Sequence, residues 1–216
     1  GQPGGPVSPK ERNWSHAFFS LYANQPLPER QALSFAYALA HEPIYIHPDT
    51  HLAGQIYQMC PGAGCPEWRG SPEDARWRDY AVIPVATARV QEALPENAVH
   101  AQFFGDGAYP GHIGWDFRSL LELGTSGLIE QCRLRSAGAT EEQRLFYGSV
   151  SIALSGLADW AALHCTELKR QISLTPEAAR KEELVTMLAI CERVPELPAR
   201  TFAEAMQSFF FQHLAV

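Results

Sequence analysis

Positive charge and long apolar runs are both scarce in this sequence of 216 residues. It contains 17 Lys and Arg against 24 Asp and Glu, and its formal net charge is −7. Since no basic cluster is present, the surface should repel nucleic-acid phosphates and anionic lipid rather than bind them. No apolar stretch is long enough to span a bilayer, and the start at Gly1 has no charged region followed by an apolar core. We therefore expect a cytoplasmic protein without a nucleic-acid or membrane partner.

Cysteine is scarce too, and the five cysteines are dispersed along the chain: Cys60, Cys65, Cys132, Cys165 and Cys191. An odd number without regular spacing indicates free thiols in a reducing compartment rather than a disulfide framework. Hydrophobic residues make up 46% of the chain and charged residues 19%, a balance that excludes a disordered polypeptide. The chain is also long enough to bury a core.

One cluster has the residue types of a closed tetrahedral zinc site: His47, His51, Cys60 and Cys65. Its spacing argues against zinc, because the two histidines fall in an extended, Pro-containing segment rather than on one face of a helix. The four residues between the two cysteines also exceed the usual knuckle spacing. We therefore predict a loop without a metal and keep zinc as the lesser alternative.

Residues 1–7 form a leader rich in Gly and Pro, and residues 8–216 are predicted to form one mainly α-helical region with a few short strands. The apolar spacing predicts one helix over residues 29–41 and a long amphipathic helix from about 141 to 171. A Ser or Thr cap followed by Pro or by an acidic or amide residue marks a helix start at five positions: Ser8, Ser71, Thr140, Thr175 and Thr201.

The predicted strands are the short runs rich in β-branched and aromatic residues at 43–46 and 52–57. The helical pattern over residues 117–134 contains Gly124 and Gly127, which predict a break into two shorter helices.

Two apolar features lie in the last third of the chain. His164 is on the apolar stripe of the long helix, where it is predicted to be a packing residue rather than a catalyst. The final run from Phe209 to Val216 is apolar and has no cap. We expect further protein to cover it.

Three longer stretches occur in an order that is typical of one enzyme family. They are Glu29–Leu39 leading into Pro43–Gly54, then Gly111–Leu128, and finally Glu182–Gln207, which contains Val-Pro, Pro-Ala-Arg-Thr-Phe and Glu-Ala-x-Gln. In this order they resemble the amino-terminal region of glycyl radical enzymes of the pyruvate formate-lyase type. The sequence departs from the family pattern at two places. Ala53 precedes the glycine of the first stretch, and Gly114-Trp115 precedes the Asp of the second.

The resemblance implies that this chain is the helical amino-terminal part of a larger α/β barrel enzyme. In that family a separate radical S-adenosylmethionine activase installs a radical on a glycine, and a facing cysteine then takes hydrogen from a small polar substrate. Cleavage of a C–C, C–O, C–N or C–S bond follows, as in the formate acetyltransferases, lyases and dehydratases of anaerobic metabolism. The implied partners are the substrate and the activase, and a homodimer is a further option.

The residues that carry this radical chemistry are missing from the sequence. There is no glycine loop similar to Arg-Val-Ser-Gly-Tyr, and Gly64-Cys65-Pro66-Glu67 lies too early to be the family's cysteine loop. We therefore expect no catalytic residue in this chain and no activity of the chain alone. The alternative is a standalone, non-catalytic helical module derived from the family, which binds a partner or a small ligand.

His112 and Asp116 are the candidate substrate-binding residues. The resemblance places them in a segment that lines the substrate pocket in several family members, where a His donates to a substrate hydroxyl or carboxylate and an Asp accepts. Neighbouring glycines allow the backbone to approach a ligand closely. For Asp116 the alternative is a structural one, in which it caps the helix that begins at Phe117.

Overall fold

The computed structural model describes residues 9–54 and 116–215, and the regular structure in these two ranges is entirely helical. A π-helical turn, Ala17–Leu21, follows the first helix. No helix in these ranges combines the length and the hydropathy needed to cross a bilayer. The α-helices of the described ranges are α1 (Pro9–His16), α2 (Leu27–Ala40), α3 (Phe117–Ser136), α4 (Glu141–Leu174), α5 (Ala178–Cys191) and α6 (Phe202–Ala215).

The predicted strand at residues 43–46 is wrong. The segment has no regular secondary structure and pairs with no strand among the described residues. Its apolar side chains serve helical packing instead, since Ile46 is only 2% exposed and belongs to the core formed with the helices. A short β-branched run fits any buried extended segment, so the pattern alone does not decide between a strand and this arrangement. The predicted strand at 52–57 forms no strand over its described residues, 52–54.

Helix α4 is the longest element and organises the core. Thr140 begins it with the predicted capping box, in which the Thr140 hydroxyl accepts the Gln143 N–H at 3.3 Å and the Gln143 side chain accepts the Thr140 N–H at 3.0 Å. The predicted apolar stripe is buried from Leu157 to Leu168, whereas Phe146 near the start of the helix is 56% exposed. The second half of α4 therefore provides most of its packing.

One hydrophobic core lies between α2, the segment after it at residues 43–54, and helices α4, α5 and α6. Helices α2 and α4 approach closely where Gly156 meets Ala36, because a Cβ on Gly156 would overlap the Ala36 side chain. The buried members of the core are Leu39, Ile46, Ala53, Leu157, Trp160, Ala161, Cys165, Leu168, Leu184, Met187, Cys191, Phe211, Leu214 and Ala215.

Helix α1 is tied to the opposite end of the chain. The Lys10 ammonium donates a hydrogen bond to the Leu214 carbonyl oxygen at 2.9 Å, near the negative end of the α6 dipole. In the turn that follows α1, the Arg30 guanidinium donates to the Phe18 carbonyl at 2.6 Å and lies 3.9 Å from the centre of the Phe18 ring. These contacts hold the first helices against α2 and α6.

Candidate functional site at the start of helix α3

Asp116 lies at the N-cap of α3, and its side chain is exposed. Its Oδ1 atom accepts a hydrogen bond from the Ser119 backbone N–H at 3.1 Å, and Oδ2 accepts one from the Ser119 hydroxyl at 2.6 Å. These bonds lower the pKa of Asp116 from its usual value, so the carboxylate is ionised at neutral pH. The structural alternative predicted for this residue, a helix cap, is present. Each carboxylate oxygen retains a second acceptor position, so the cap leaves room for another donor.

His112, the other predicted substrate-binding residue, lies outside the described residues. The described part of the candidate site is therefore Asp116 and the first half of α3. Phe117 places this half against α6, because its ring centre lies 4.8 Å from that of Phe209.

Helix α3 is interrupted at Gly124, where φ is 67° and ψ is 173°. The break predicted from the glycines is thereby confirmed at Gly124, whereas the chain at Gly127 stays helical. A side chain rarely adopts such a conformation, and a Cβ on Gly124 would also overlap the Glu196 carbonyl. The break leaves backbone groups on either side without partners inside the helix.

The loop at residues 194–200 supplies those partners. Its peptide between Val194 and Pro195 is cis. The Ser126 hydroxyl adds a further bond to the Glu196 carbonyl at 2.8 Å. Three backbone hydrogen bonds join the loop to the break: Thr125 N–H to the Pro195 oxygen (2.8 Å), Ser126 N–H to the Glu196 oxygen (3.1 Å) and Ala199 N–H to the Leu121 oxygen (3.0 Å).

Glu204 is buried at the start of α6 and fixes the other end of this loop. Its carboxylate accepts hydrogen bonds from the Arg200 backbone N–H at 2.6 Å and from the Arg200 guanidinium at 2.8 Å, and Arg193 lies 3.6 Å away. The Arg200 hydrogen bonds lower the pKa of Glu204 to about 2. The predicted capping box is half formed. The Thr201 hydroxyl accepts the Glu204 N–H at 3.2 Å. The Glu204 carboxylate, however, accepts the backbone N–H of Arg200 and not that of Thr201.

Two helix side chains hold the backbone of the segment that follows α2, residues 43–54, whose end enters the core. The Gln207 amide bonds twice to Ala53, accepting its N–H at 2.8 Å and donating to its carbonyl at 3.0 Å. The Arg180 guanidinium donates to the His47 carbonyl at 3.0 Å and to the Thr50 carbonyl at 3.1 Å. Neither role was predicted from the sequence, although the position of Gln207 within the Glu-Ala-x-Gln motif is a signal that could have indicated one of them.

A cleft of about 670 Å³ lies between this segment and the start of α5. Asp49, Glu177 and Glu183 line it together with Arg180. The Arg180 guanidinium is already engaged, since it also bonds to Glu183 at 2.8 Å. The cleft thus carries charge of both signs.

The two histidines considered for zinc, His47 and His51, lie in the loop after α2. His47 Nδ1 accepts the Asp49 backbone N–H at 3.1 Å, and His51 is exposed. Within residues 9–54 and 116–215, no group of three His, Cys, Asp or Glu side chains is suited to hold a metal ion. Cys60 and Cys65 lie outside those ranges.

His164 is buried in the core at 1% exposure, as predicted for a packing residue. Its Nδ1 atom lies 3.0 Å from the Trp160 carbonyl oxygen, and since a carbonyl only accepts, Nδ1 carries the proton. Burial lowers the pKa of His164 to about 4, so the ring is neutral at pH 7. It packs edge-on against the rings of Trp160 and Phe211, at 4.5 and 5.0 Å between centres.

Comparison with known proteins gives these contacts a family context. The sequence model of the pyruvate formate lyase-like family matches residues 12–216. The chain belongs to this family. The membership predicted from the three ordered stretches is confirmed, and the match corresponds to the amino-terminal part of the relatives.

Relatives of this chain include a lyase and several dehydratases. Isethionate sulfite-lyase from Oleidesulfovibrio alaskensis is 27% identical over an alignment that is 245 residues long with its gaps. The alignment covers 88% of this chain and 29% of that protein. The B12-independent glycerol dehydratase from Clostridium butyricum has a TM-score of 0.74 at 20% identity, and the match covers 98% of this chain and 32% of that protein. A glycyl radical enzyme from Archaeoglobus fulgidus has a TM-score of 0.74 at 16% identity, and the match covers 99% of this chain and 32% of that protein. The chain therefore spans about a third of the length of these relatives.

Proposed function

We propose that this chain is the amino-terminal, helical part of a glycyl radical enzyme that cleaves a C–C, C–O, C–N or C–S bond of a small polar substrate. The observation that carries the proposal is the family match over residues 12–216. The names of the relatives favour lyase or dehydratase chemistry for the whole protein.

The proposal assigns the radical chemistry to residues outside this sequence, since the glycine loop is missing from it and Cys65 lies too early to be the thiol. In the whole protein, the glycyl radical that an activase installs supplies hydrogen abstraction. The residues of this chain bind and orient the substrate and pack around the catalytic part. The chain alone is expected to be inactive.

His112 and Asp116 are the residues we assign to substrate binding. An ionised Asp116 accepts a hydrogen bond from a substrate hydroxyl or ammonium group, using the acceptor positions that Ser119 leaves open. His112 donates to a substrate hydroxyl or carboxylate. The hydrogen bonds from Ser119 support this role for Asp116, because they hold the carboxylate in one orientation.

The size of the native polypeptide tests the proposal. An antibody against residues 117–215 is used to isolate the protein from the source cells, and its mass is measured. Since the chain covers 29–32% of its relatives, we expect about three times the 23.9 kDa of this sequence. A native polypeptide of 23.9 kDa would overturn the proposal in favour of a standalone helical module.

A further inference from the structure

A groove of about 500 Å³ lies between α2 and α4, and Asp116 is not among the residues that line it. Leu33 and Ala36 of α2 and Ile152 of α4 give it an apolar lining. Pockets that bind small molecules have volumes of about 300–1,000 Å³. The groove is therefore large enough for a small organic ligand.

Three aromatic rings lie along the groove. The ring centres of Tyr22 and Tyr37 are 6.5 Å apart, with the rings at 78° to each other, and the ring of His41 stacks on that of Tyr37 at 3.8 Å. Tyr22 directly follows the π-helical turn Ala17–Leu21, and such turns are rare and frequent at functional sites. Since the face of an aromatic ring attracts a cation, the two tyrosines favour a positively charged ligand.

Two polar side chains of the groove offer acceptor positions to a ligand. The Ser151 hydroxyl donates its hydrogen to the Tyr147 carbonyl oxygen at 2.9 Å, so its remaining positions are acceptors. His41 Nδ1 lies 2.8 Å from the Tyr37 carbonyl oxygen, which only accepts, so Nδ1 carries a proton. In the neutral ring Nε2 is then an acceptor. A ligand with hydrogen-bond donors matches both groups.

Asp159 gives the groove a negative charge. Its side chain is exposed on α4, and no Lys or Arg lies three or four residues from it along the helix. None of the described residues that line the groove is Lys or Arg. The formal charge of −7 on the chain attracts cations at longer range as well. The groove therefore complements a ligand that is positively charged and donates hydrogen bonds.

We propose that this groove binds a small primary amine in its ammonium form. The ammonium N–H groups donate to Asp159 and Ser151, and the charge lies against the ring of Tyr37. The apolar body of the amine packs on Leu33 and Ile152. A quaternary ammonium lacks the donors, and a carboxylate is repelled. The proposal does not depend on the proposed function, because all of these residues lie in this chain.

Three probes with the same carbon skeleton test the proposal: isoamylammonium, isoamyl alcohol and isovalerate. Their binding to the unactivated protein of native length is measured by ligand-observed NMR. We expect isoamylammonium to bind with a Kd of about 1 mM or lower. The alcohol should bind about tenfold more weakly, because it lacks the charge that strengthens the hydrogen bonds. Isovalerate should not bind.

Substitutions locate the binding in the groove. Asp159→Asn should weaken isoamylammonium about tenfold and leave the alcohol unchanged, because it removes only the charge. Tyr37→Leu should weaken isoamylammonium about threefold through loss of the ring. Glu142→Gln is the matched control for Asp159→Asn, since Glu142 is exposed in the first turn of α4 and does not line the groove. It should change the affinity by less than about twofold, because salt screens a distant charge.

Thermal melts establish that each variant is folded, and the exposed position of Asp159 keeps the test valid even where Tyr37→Leu does not fold. Equal affinity for the ammonium and the alcohol would contradict a cation site. Ammonium binding that Asp159→Asn does not weaken would place the amine elsewhere on the protein and overturn the assignment, as would the absence of binding. Tighter binding of Nα-acetyllysine amide than of isoamylammonium would assign the groove to a lysine of a protein partner and overturn the assignment to a small amine.

Discussion

Among single residues, Asp116 is the one whose two roles can be separated by substitution. Asn, like Asp, is a strong helix N-cap, whereas Ala is not. Asp116→Asn therefore keeps the cap of α3 and removes the negative charge, and Asp116→Ala removes both.

If Asp116 binds the substrate, Asp116→Asn in the whole enzyme raises KM about tenfold or more, because a hydrogen bond to a charged group is worth about 1.5–3 kcal/mol. Its melting temperature stays within a degree or two of the native value. Asp116→Ala lowers stability as well, by about 1 kcal/mol. Steady-state kinetics and thermal melts measure both effects. An unchanged KM in Asp116→Asn would mean that Asp116 caps α3 and does not bind the substrate.

Glu42 is a buried carboxyl at 9% exposure, and its Oε2 atom has no hydrogen-bond partner among the residues described. Burial raises the pKa of Glu42 from 4.5 to about 7, against a smaller opposing effect of Lys10. The folded state therefore keeps a proton that the unfolded state releases between these two values. The free energy of unfolding should fall as the pH rises from about 4.5 through 7.

Glu42→Gln removes this dependence, because a Gln side chain does not ionise. Above pH 7 the variant should exceed the native chain in free energy of unfolding by an amount on the order of 3 kcal/mol, and near pH 4 the two should agree. Urea unfolding from pH 4 to 8 measures the difference. Glu182→Gln, on an exposed position of α5, is the control and should keep the native profile. If the free energy of unfolding of Glu42→Gln falls with pH as steeply as that of the native chain, another group causes the pH dependence.

The candidate site could be predicted only in part at this scale. The cap at Asp116 could be predicted because it depends on contacts three residues apart in the chain. The backbone groups that Arg180 and Gln207 bind could not, because these partners are 130 to 154 residues away in the chain. The two hydrogen bonds between Gln207 and Ala53 depend on the fold, which brings α6 to the segment that follows α2.

Among the elements, α3 is the one whose geometry depends on a single glycine. Gly124→Ala should lower the free energy of unfolding by at least about 2 kcal/mol, because Ala is strained at φ 67° and its Cβ would displace the Glu196 carbonyl. Gly148→Ala is the matched control. Gly148 is helical, and a Cβ there would meet no atom of the described residues within 4 Å, so Ala should add about 0.5–1 kcal/mol to the free energy of unfolding.

Denaturant unfolding measures both variants. The loss in Gly124→Ala should be accompanied by weaker protection of the Thr125 and Ser126 amides from hydrogen exchange, since both donate to the loop at residues 194–200. Equal effects of Ala at the two glycines would contradict the role assigned to the break.

The helices were predictable where local chemistry determines them. The capping box at Thr140 and the start of α6 after Thr201 depend on neighbouring residues. The break falls at Gly124 and not at Gly127 because the distant loop at residues 194–200 supplies backbone partners there. The error at residues 43–46 has a different origin. An extended run becomes a strand only when another strand pairs with it, and here helix side chains hold the backbone that follows.

On the scale of the whole molecule, the third of the stretches that carry the family resemblance contacts the other two. The first is held by the third through Ala53 and Gln207, and the second is held by the third through the loop at residues 194–200. The resemblance therefore reflects a packing arrangement that joins distant parts of the chain. It explains why family membership was predictable from a sequence without the catalytic glycine and cysteine loops.

The most direct test of the proposed function is electron paramagnetic resonance of the native protein. The protein is isolated anaerobically through an antibody against residues 117–215 and treated with its activase, S-adenosylmethionine and a one-electron reductant. We predict a glycine-centred radical signal on a polypeptide about three times the 23.9 kDa of this sequence. A fully folded native protein that gives no radical signal after this treatment would contradict the assignment.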